Sequence, residues 1–584
     1  MNEHTETPHP FWKRPSNWAL ALFVIASFWS LTNQRLWKDK GVIQSDVIFY
    51  YEIVPATILH GDPFFTFIDS IPEKDRQYWL LRDSVTHRGF SKTTIGLAIT
   101  YTPVFIITWA ATEILGIPNG DFDPCFHFSV AFSTVLFAWI GLWFFRRVIR
   151  RFCSEIATTI LVLLAGFATG YWHYTVMSPG YGHVFSAALI AAYVWYNIRY
   201  KEQGVTRYLL QMCFLLGLIT LIRPSNLLIV LWTLLYTPDK VNLVTVFRYW
   251  WKRILPLSVG LVMFMLPILP QLLVWKGVSG NWLMYSYGDE KFFFDNPHLL
   301  SGLFGFRNGF FVYSPILLLC FPGFVLLWKK DKNLFIATIA FMFINSYVIY
   351  SWWCWWYGGS FGSRPQLDTL IITLIPVALA VEWSLKRVLF KIAMITALVL
   401  FSVLSLFQSY QSKKGVIHWD AMTSDEYWGV FGKMNLPFDA GYRIKEPDYI
   451  GAQRGNEYPI IVDHKMIENE FELETDKEFP ITFTFRADSL TGVTKLYTLV
   501  HFKPEDGFND RLHMVMTVES APGVTAVLET HDLYSPYISS GNWYTTKMQI
   551  AIPEGLPPTA IIKCFFWNPY KQRLKIKNYT LRNF

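Results

Sequence analysis

The chain has 584 residues, of which 52% are hydrophobic, 18% aromatic and only 16% charged. Soluble domains carry about 25% charged residues, so this composition, with a mean hydropathy of +0.27, argues against an ordinary soluble protein and favours a polytopic membrane protein with some soluble mass. The net charge of +7 does not indicate nucleic-acid binding, because the basic residues stand in short clusters between apolar runs. Such clusters are how membrane topology is encoded.

Eleven apolar segments are predicted to cross the membrane, because a spanning helix needs about 20 mainly apolar residues. In chain order they are 17–33, 125–145, 155–172, 182–198, 208–222, 225–237, 254–275, 309–328, 333–350, 366–383 and 388–407. The first has no small-residue cleavage site after it and is predicted to be a retained anchor. A further apolar stretch, 93–117, contains Pro103, which we expect to break it, and we predict a juxtamembrane or re-entrant element there.

The basic connectors between these segments are predicted to be cytoplasmic. They are 12–14, 146–151, 199–207, 239–253, 328–332 and 386–391. If the first span, 17–33, runs from the cytoplasm outward, all basic connectors lie in the cytoplasm only when the segment 93–117 does not cross the membrane. The outer side then holds the loop 34–124, "MSPGYGH", "RPSN", the segment 276–308, the bend "WWCWWYGGSFGSRP" and the C-terminal tail.

The tail differs in composition from the rest of the chain. Its strand-like runs, separated by turn residues, are "FPITFTFRAD", "TKLYTLVHF", "LHMVMTVES", "YTTKMQIAI", "TAIIKCFFW" and "RLKIKNYTL". They predict an antiparallel β-sandwich of roughly 130 residues. We therefore expect a transmembrane domain over 1–410 and an extracytoplasmic β-sandwich domain over 411–584. The six cysteines are scattered without a CxxC pair, which gives no disulfide or zinc framework.

Several ionisable residues fall on the predicted outer face. They are Asp46, Lys92, His183, Arg223, Arg307 and Arg364. Ionisable residues at a membrane interface are costly and usually face a partner or a cavity. Five cations and one carboxylate on a single leaflet therefore predict a site for an anionic lipid head group.

The outer loop also carries the residues of a family resemblance. Asp46 and Tyr50 are followed by Gly61-Asp62 and then by Phe90-x-Lys92-x-x-x-Gly96. This order resembles the GT-C superfamily of polyprenyl-phosphate-dependent membrane glycosyltransferases, with its closest likeness to the lipid A aminoarabinose transferase and protein mannosyltransferase branches. The likeness covers roughly residues 10–410. One departure is that many members carry Asp-Glu at the loop start, whereas Val47 follows Asp46 here and the nearest glutamate is Glu52.

The resemblance implies a role for each of these groups. Asp46 would be the catalytic carboxylate, acting as a base toward the acceptor or holding a divalent cation that does so; no cofactor is otherwise implied. Fixed cations would stabilise the leaving lipid phosphate: Lys92, Arg307, Arg364, His183 and Arg223. Side chains expected to contact the sugar or the prenyl chain are Tyr50, Tyr51, Trp355, Trp356 and Asn308.

Structural alternatives stand beside these roles. Lys92 could be an interfacial anchor, Asp62 a turn residue, and Trp355 and Trp356 part of an aromatic belt. Asp289 and Glu290 are interpreted as loop surface, with an acceptor role left open.

The sequence thus predicts a multi-pass protein of the bacterial inner membrane that transfers a sugar from a polyprenyl-phosphate donor. The acceptor would be a glycan, lipid or protein on the outer face. Two alternatives share the lipid-phosphate substrate: a polymerase or ligase of lipid-linked oligosaccharides, and a flippase or transporter of lipid-linked sugars. A non-catalytic anchor that presents the β-domain is a further alternative.

Overall fold

The structure is a computed structural model in which the chain forms two compact units, Met1–Lys413 and Lys414–Phe584. This division lies beside the expected boundary at 410. The described residues are 13–72, 76–236, 243–288, 290–420, 422–435, 463–473, 476–486, 495–505, 512–521, 523–533, 541, 543–553 and 555–583.

The described part of the first unit is mainly helical. Its helices are α1 (Pro15–Gln34), α2 (Asp46–Tyr51), α3 (Ile53–Ile58), α4 (Gly96–Leu115), α5 (Pro124–Ile149), α6 (Glu155–Phe167), α7 (Gly182–Gln203), α8 (Thr206–Ile222), α9 (Ile229–Leu235), α10 (Leu243–Trp251), α11 (Ile254–Ser279), α12 (Leu299–Phe304), α13 (Phe310–Tyr313), α14 (Cys320–Lys330), α15 (Lys332–Ile349), α16 (Arg364–Leu367), α17 (Leu370–Ser384) and α18 (Val388–Lys413). A two-stranded ribbon, β1 (Leu81–Arg82) with β2 (Gly89–Phe90), lies in the loop before α4.

The helical unit is buried at its centre and apolar on its outside. Helices α7 and α17 are buried along most of their length, whereas α11 and α18 expose most of their apolar residues. Among the described residues, α4, α5, α11, α15 and α18 are long and apolar enough to cross a membrane. Apolar side chains exposed on this scale are stable only against lipid or a partner, so the unit is a helical membrane domain.

One end of the helical unit gathers the basic connectors. Arg150 Nε lies 3.0 Å from Glu155, and Arg151 lies 3.0 Å from Glu202. The Ser154 hydroxyl donates to Glu382 at 2.6 Å, and Lys330 Nζ donates to the Phe152 carbonyl at 3.1 Å. These contacts join the ends of α5, α6, α7, α14 and α17, which we call the connector end.

The opposite end, which we call the loop end, gathers the segments predicted to be outside. The backbone N–H groups of Val42 and Ile43 donate to Nδ1 of His127 at 3.2 and 3.0 Å. Because Val42 follows α1 and His127 lies in the first turn of α5, these two helices meet here. This grouping of ends fits a topology in which the basic connectors lie on one side, and the number of eleven spans stays a prediction.

Helix α4 lies across the loop end. At its start, a Cβ on Gly96 would meet the backbone of Leu221 at the end of α8. At its middle, Phe105 stacks on Phe126 at the start of α5, with 4.3 Å between ring centroids. All of these residues belong to one end of the unit. That 93–117 does not cross stays a prediction, since the length and composition of α4 would allow a span. The expected break at Pro103 is wrong, because the helix continues through it.

Three helical segments are broken where they enter the unit from the loop end. A 3-10 turn, Pro224–Leu228, precedes α9. A second, Pro315–Leu319, separates α13 from α14, and Asp368 and Thr369 separate α16 from α17. Irregular backbone at membrane depth is tolerated only where it is buried in protein or lines a cavity. Each break follows one of the predicted arginines.

The second unit contains a short helix, α19 (Ser424–Val430), and two antiparallel sheets. Its strands are β3 (Asp463–Ile467), β4 (Phe471–Glu472), β5 (Thr482–Arg486), β6 (Lys495–Pro504), β7 (His513–Ala521), β8 (Val524–Asp532), β9 (Tyr544–Ala551), β10 (Ile561–Trp567) and β11 (Leu574–Asn583). One sheet has the order β5-β10-β7-β8 and the other β3-β11-β6-β9, with β4 also pairing with β11.

The two sheets share a hydrophobic core and form the predicted β-sandwich. Alternate residues of β10, such as Ile562, Cys564 and Phe566, are buried against residues of the other sheet such as Val500 and Ile576. This period of two is the pattern of a strand with one buried face.

Candidate functional site

The site is centred on Asp46, the first residue of α2. Ser45 before it has φ +50°, so the chain turns sharply and presents Asp46 at the start of the helix. Its Oδ2 lies 3.0 Å from Nη2 of Arg364, and its side chain is 44% exposed. Two residues predicted for the site, 318 positions apart, are therefore in direct contact at the loop end.

Arg364 is buried, and its guanidinium is only partly used. Nη2 contacts Asp46, whereas Nε and Nη1 are buried without a hydrogen-bond partner among the described residues. Its Cζ lies 5.1 Å from the ring of Tyr181. Burial opposes the charge, but Asp46 outweighs it and raises the pKa of Arg364. Unpaired buried donors are costly, so these two nitrogens are candidates for binding an anion.

Arg223 and His183 lie in a second cluster, organised by Asp368. Oδ1 of Asp368 is 2.7 Å from Nδ1 of His183, and its Oδ2 is 3.6 Å from Nε of Arg223. Asn226 donates to the same Oδ2 at 2.8 Å. Asp368 was not predicted from the sequence. It could have been found, because an acid at the start of an apolar span, four residues after Arg364, indicates a functional site.

Three tyrosines connect the two clusters. Tyr50, one turn after Asp46 on α2, lies within electrostatic reach of Arg364 and Arg223. The ring of Tyr357 lies 5.4 Å from Cζ of Arg223. Tyr287 lies within electrostatic reach of Arg223 and Asp46. The predicted contact residue Tyr50 therefore stands at the site, together with Tyr287 and Tyr357, which the sequence analysis did not name.

Lys92 lies beside Tyr287, one of these three tyrosines. Its Nζ lies 5.3 Å from the Tyr287 ring and 2.5 Å from Glu290. Glu290 was interpreted as loop surface, but it is the counter-ion of a predicted phosphate-binding cation. Asp289 lies outside the described residues. Each of the cations Lys92, Arg223 and Arg364 is thus paired with a carboxylate.

Arg307 and Asn308 belong to a neighbouring bend. The guanidinium of Arg307 stacks on Trp356, with 3.6 Å from Cζ to the ring centroid. Asn308 Nδ2 donates to the carbonyls of Trp356 and Gly358 at 3.2 Å each. Asn308 is therefore used to hold the bend that carries Tyr357. Trp355 and Trp356 are both buried, and neither presents an open face as expected for a sugar contact.

Tyr51 and Asp62 have structural roles. Tyr51 is fully buried, and its hydroxyl donates to the Asp121 carbonyl at 2.6 Å. Its expected contact with the sugar or prenyl chain is therefore wrong, because its side chain is not exposed. Asp62 accepts hydrogen bonds from the N–H groups of Phe64 and Thr66, as a turn residue does.

Glu52 is the acid nearest to Asp46 in the sequence, and it is fully buried. Its Oε2 accepts the N–H of Trp79 at 2.9 Å. Burial raises the pKa of Glu52 to about 7. It therefore anchors the segment before β1 to α2, and its environment differs from that of the half-exposed Asp46.

The described residues contain no group of three or more His, Cys, Asp and Glu side chains that could hold a metal ion. Asp46 already contacts Arg364, which competes with any cation for its oxygens. A divalent ion at Asp46 would therefore need ligands from the substrate.

Comparison with known proteins gives little further guidance. No protein-family model matches the chain, and no curated protein matches it. Among solved structures, the arabinosyltransferase EmbB from Mycobacterium smegmatis aligns with a TM-score of 0.38 and 9% sequence identity, over 99% of this chain and 66% of that chain. At this TM-score the likeness decides neither the fold nor the activity.

Proposed function

We propose that the protein is a membrane glycosyltransferase. It takes a sugar from a polyprenyl-phosphate donor and passes it to a glycan, lipid or protein acceptor on the outer face of the bacterial inner membrane. The loop end would face outward, and the C-terminal domain would be extracytoplasmic. This topology rests on the basic connectors, which gather at the opposite end and favour the cytoplasm.

The observation that carries the proposal is the state of Arg364. Two of its three guanidinium nitrogens are buried without a hydrogen-bond partner among the described residues, beside a half-exposed carboxylate. A phosphate oxyanion satisfies such nitrogens, because the guanidinium fork matches its geometry. A membrane-embedded protein with this anion site at its outer end fits a lipid-linked phosphate donor better than a soluble nucleotide sugar.

The chemistry follows from the charges. When the anomeric C–O bond breaks, negative charge grows on the lipid phosphate, and fixed cations in a water-poor site stabilise it. Arg364 is a buried cation available for this role, and Arg223 and Lys92 are partly exposed ones, at 21% and 27%. Asp46 would accept the proton of the acceptor hydroxyl as the new bond forms.

The test is sugar transfer by purified Asp46→Asn protein, assayed with a panel of polyprenyl-phosphate sugars. We expect turnover to fall about 100-fold or more, the usual contribution of a general base. Asp69→Asn is the matched control, because Asp69 is an exposed acid of the same loop. Wild-type turnover by folded Asp46→Asn would remove Asp46 from the mechanism. Flipping of lipid-linked sugar in proteoliposomes without any covalent product would favour a transporter.

A further inference from the structure

Asp368 is the most deeply buried acid of the candidate site. Its side chain is 1% exposed, against 44% for Asp46. Charged groups are rarely buried to this degree unless they are paired, and three side chains from different elements converge on it: His183 from α7, Arg223 at the end of α8 and Asn226 from the following turn. A residue enclosed in this way cannot touch a substrate, but it can position groups that do.

The arrangement around His183 indicates which group is positioned. Nη1 of Arg223 lies 3.1 and 3.2 Å from the two ring nitrogens of His183. Nη1 of Arg223 is therefore close to both nitrogens of the imidazole, and the guanidinium packs against the His183 ring. Asp368 meets the edge of the same ring at Nδ1, so it fixes the orientation of the surface on which Arg223 rests.

Arg223 retains capacity for a ligand. Nε faces Asp368 and Nη1 faces His183, whereas Nη2 has no hydrogen-bond partner among the residues that the structure describes. Its side chain is 21% exposed, and its other neighbour is the ring of Tyr357. Asp368 and His183 therefore hold the guanidinium on one side, and its Nη2 is available to a ligand on the other.

We propose that Asp368 is a positioning residue that, directly and through His183, holds Arg223 in the orientation in which it binds the donor's phosphate. The inference rests on the proposed function and adds a residue to it. It assigns different roles to the two acids: Asp46 acts on the substrates, and Asp368 stays paired throughout the reaction. It also gives His183 a supporting role and not direct contact with phosphate.

The experiment is a double-mutant cycle between Asp368→Asn and Arg223→Gln. Initial rates with a polyprenyl-phosphate sugar donor give KM and kcat, and binding of the sugar-free polyprenyl phosphate is measured in parallel. We expect Asp368→Asn to raise the donor KM about 10- to 100-fold, the loss typical of groups that orient a direct ligand, with kcat much less affected. The double variant should bind no worse than Arg223→Gln alone, because contacting residues are not additive.

A second variant, which exchanges the side chains of Asp368 and Asn226, distinguishes loss of positioning from misfolding. In Asp368→Asn/Asn226→Asp the hydrogen bond between the two side chains is reversed and the carboxylate remains beside Arg223. We expect this variant to recover most of the donor affinity. A folded Asp368→Asn protein with wild-type donor KM would overturn the proposal, as would additive losses in the cycle.

Failure of the inference and failure of the proposed function give different results. If the wild-type protein transfers no sugar from any polyprenyl-phosphate donor and does not bind polyprenyl phosphate, the proposed function is wrong. If the wild type transfers sugar and the Arg223→Gln variant is impaired while Asp368→Asn is not, only the positioning role is wrong.

Discussion

Nη2 of Arg364 lies 3.0 Å from Oδ2 of Asp46 and joins the start of α2 to the start of α16. The arginine side chain is 11% exposed and the aspartate 44%. The carboxylate is therefore the more easily displaced partner. An incoming phosphate would compete with Asp46 for the guanidinium, and its arrival would release the carboxylate for the acceptor.

The guanidinium fork of Arg364 should matter beyond its charge. Arg364→Lys keeps a cation but presents a point charge, and we expect kcat for sugar transfer to fall about 100-fold, as when one donor to a developing oxyanion is removed. Arg82→Lys, an exposed residue of the same outer segment, is the control. Wild-type turnover in folded Arg364→Lys would show that charge alone suffices.

Lys92 and Glu290 should respond differently to mutation. Lys92→Ala removes a cation beside Tyr287, and we expect the donor KM to rise about tenfold, equivalent to about 1.4 kcal/mol. Glu290→Gln removes only the counter-ion, so donor KM should fall or stay unchanged. Steady-state kinetics of both variants decide the matter. Equal losses in the two would make the pair a structural ion pair and nothing more.

Glu52 should make stability depend on pH. Burial raises its pKa from 4.5 to about 7, so between these values the native state binds more protons than the unfolded state. The stability contribution is present below about pH 4.5 and is lost as pH rises through about 7. Glu52→Gln should remove this loss, which is on the order of 3 kcal/mol at most.

Thermal unfolding of wild type and Glu52→Gln at pH 5 and pH 8 measures the effect. The variant should gain stability over wild type at pH 8 and not at pH 5, because glutamine still accepts the Trp79 N–H. Asp69→Asn is again the control. A pH-independent difference between wild type and Glu52→Gln would contradict the assignment.

Helices α14 and α17 should tolerate no side chain at Gly323. A Cβ there would lie 2.0 Å from the carbonyl oxygen of Pro376, so the backbones would have to separate. We expect Gly323→Ala to destabilise the protein by about 1–3 kcal/mol, the usual cost of overpacking. Gly170→Ala is the control, since its nearest contact would be an ordinary 3.4 Å. Equal melting temperatures for the two variants would contradict this packing.

Cysteine labelling tests the orientation of the two ends. With the six native cysteines replaced, we expect an impermeant thiol reagent to label Gln44→Cys in intact cells. Lys386→Cys, on a basic connector, should be labelled only after permeabilisation. Both positions are exposed. The reverse result would place the loop end in the cytosol and exclude the proposed outer-face activity.

The sequence was sufficient for features that depend on local pattern. Apolar segments of membrane length predicted a helical membrane unit, because lipid demands internally satisfied backbone. Among the described residues, five helices are long and apolar enough to cross, and the predicted spans 225–237, 309–328 and 366–383 are interrupted. Period-two runs predicted six of the strands, with β8 among those not identified. The clusters of arginine and lysine predicted which helix ends would meet, and the contacts of Arg150 and Lys330 place them at one end. The continuity of α4 through Pro103 did not follow from the sequence pattern.

Which residues form the candidate site depended on tertiary structure. The sequence by itself selected Asp46 and Arg364, since ionisable residues are costly in such places, but it could not pair them across 318 positions. It could not find Asp368, or separate the buried Tyr51 from the site-facing Tyr50 one position before it. Side-chain partners are set by how helices rotate and pack against each other, and one-dimensional patterns of charge and hydropathy do not encode those rotations.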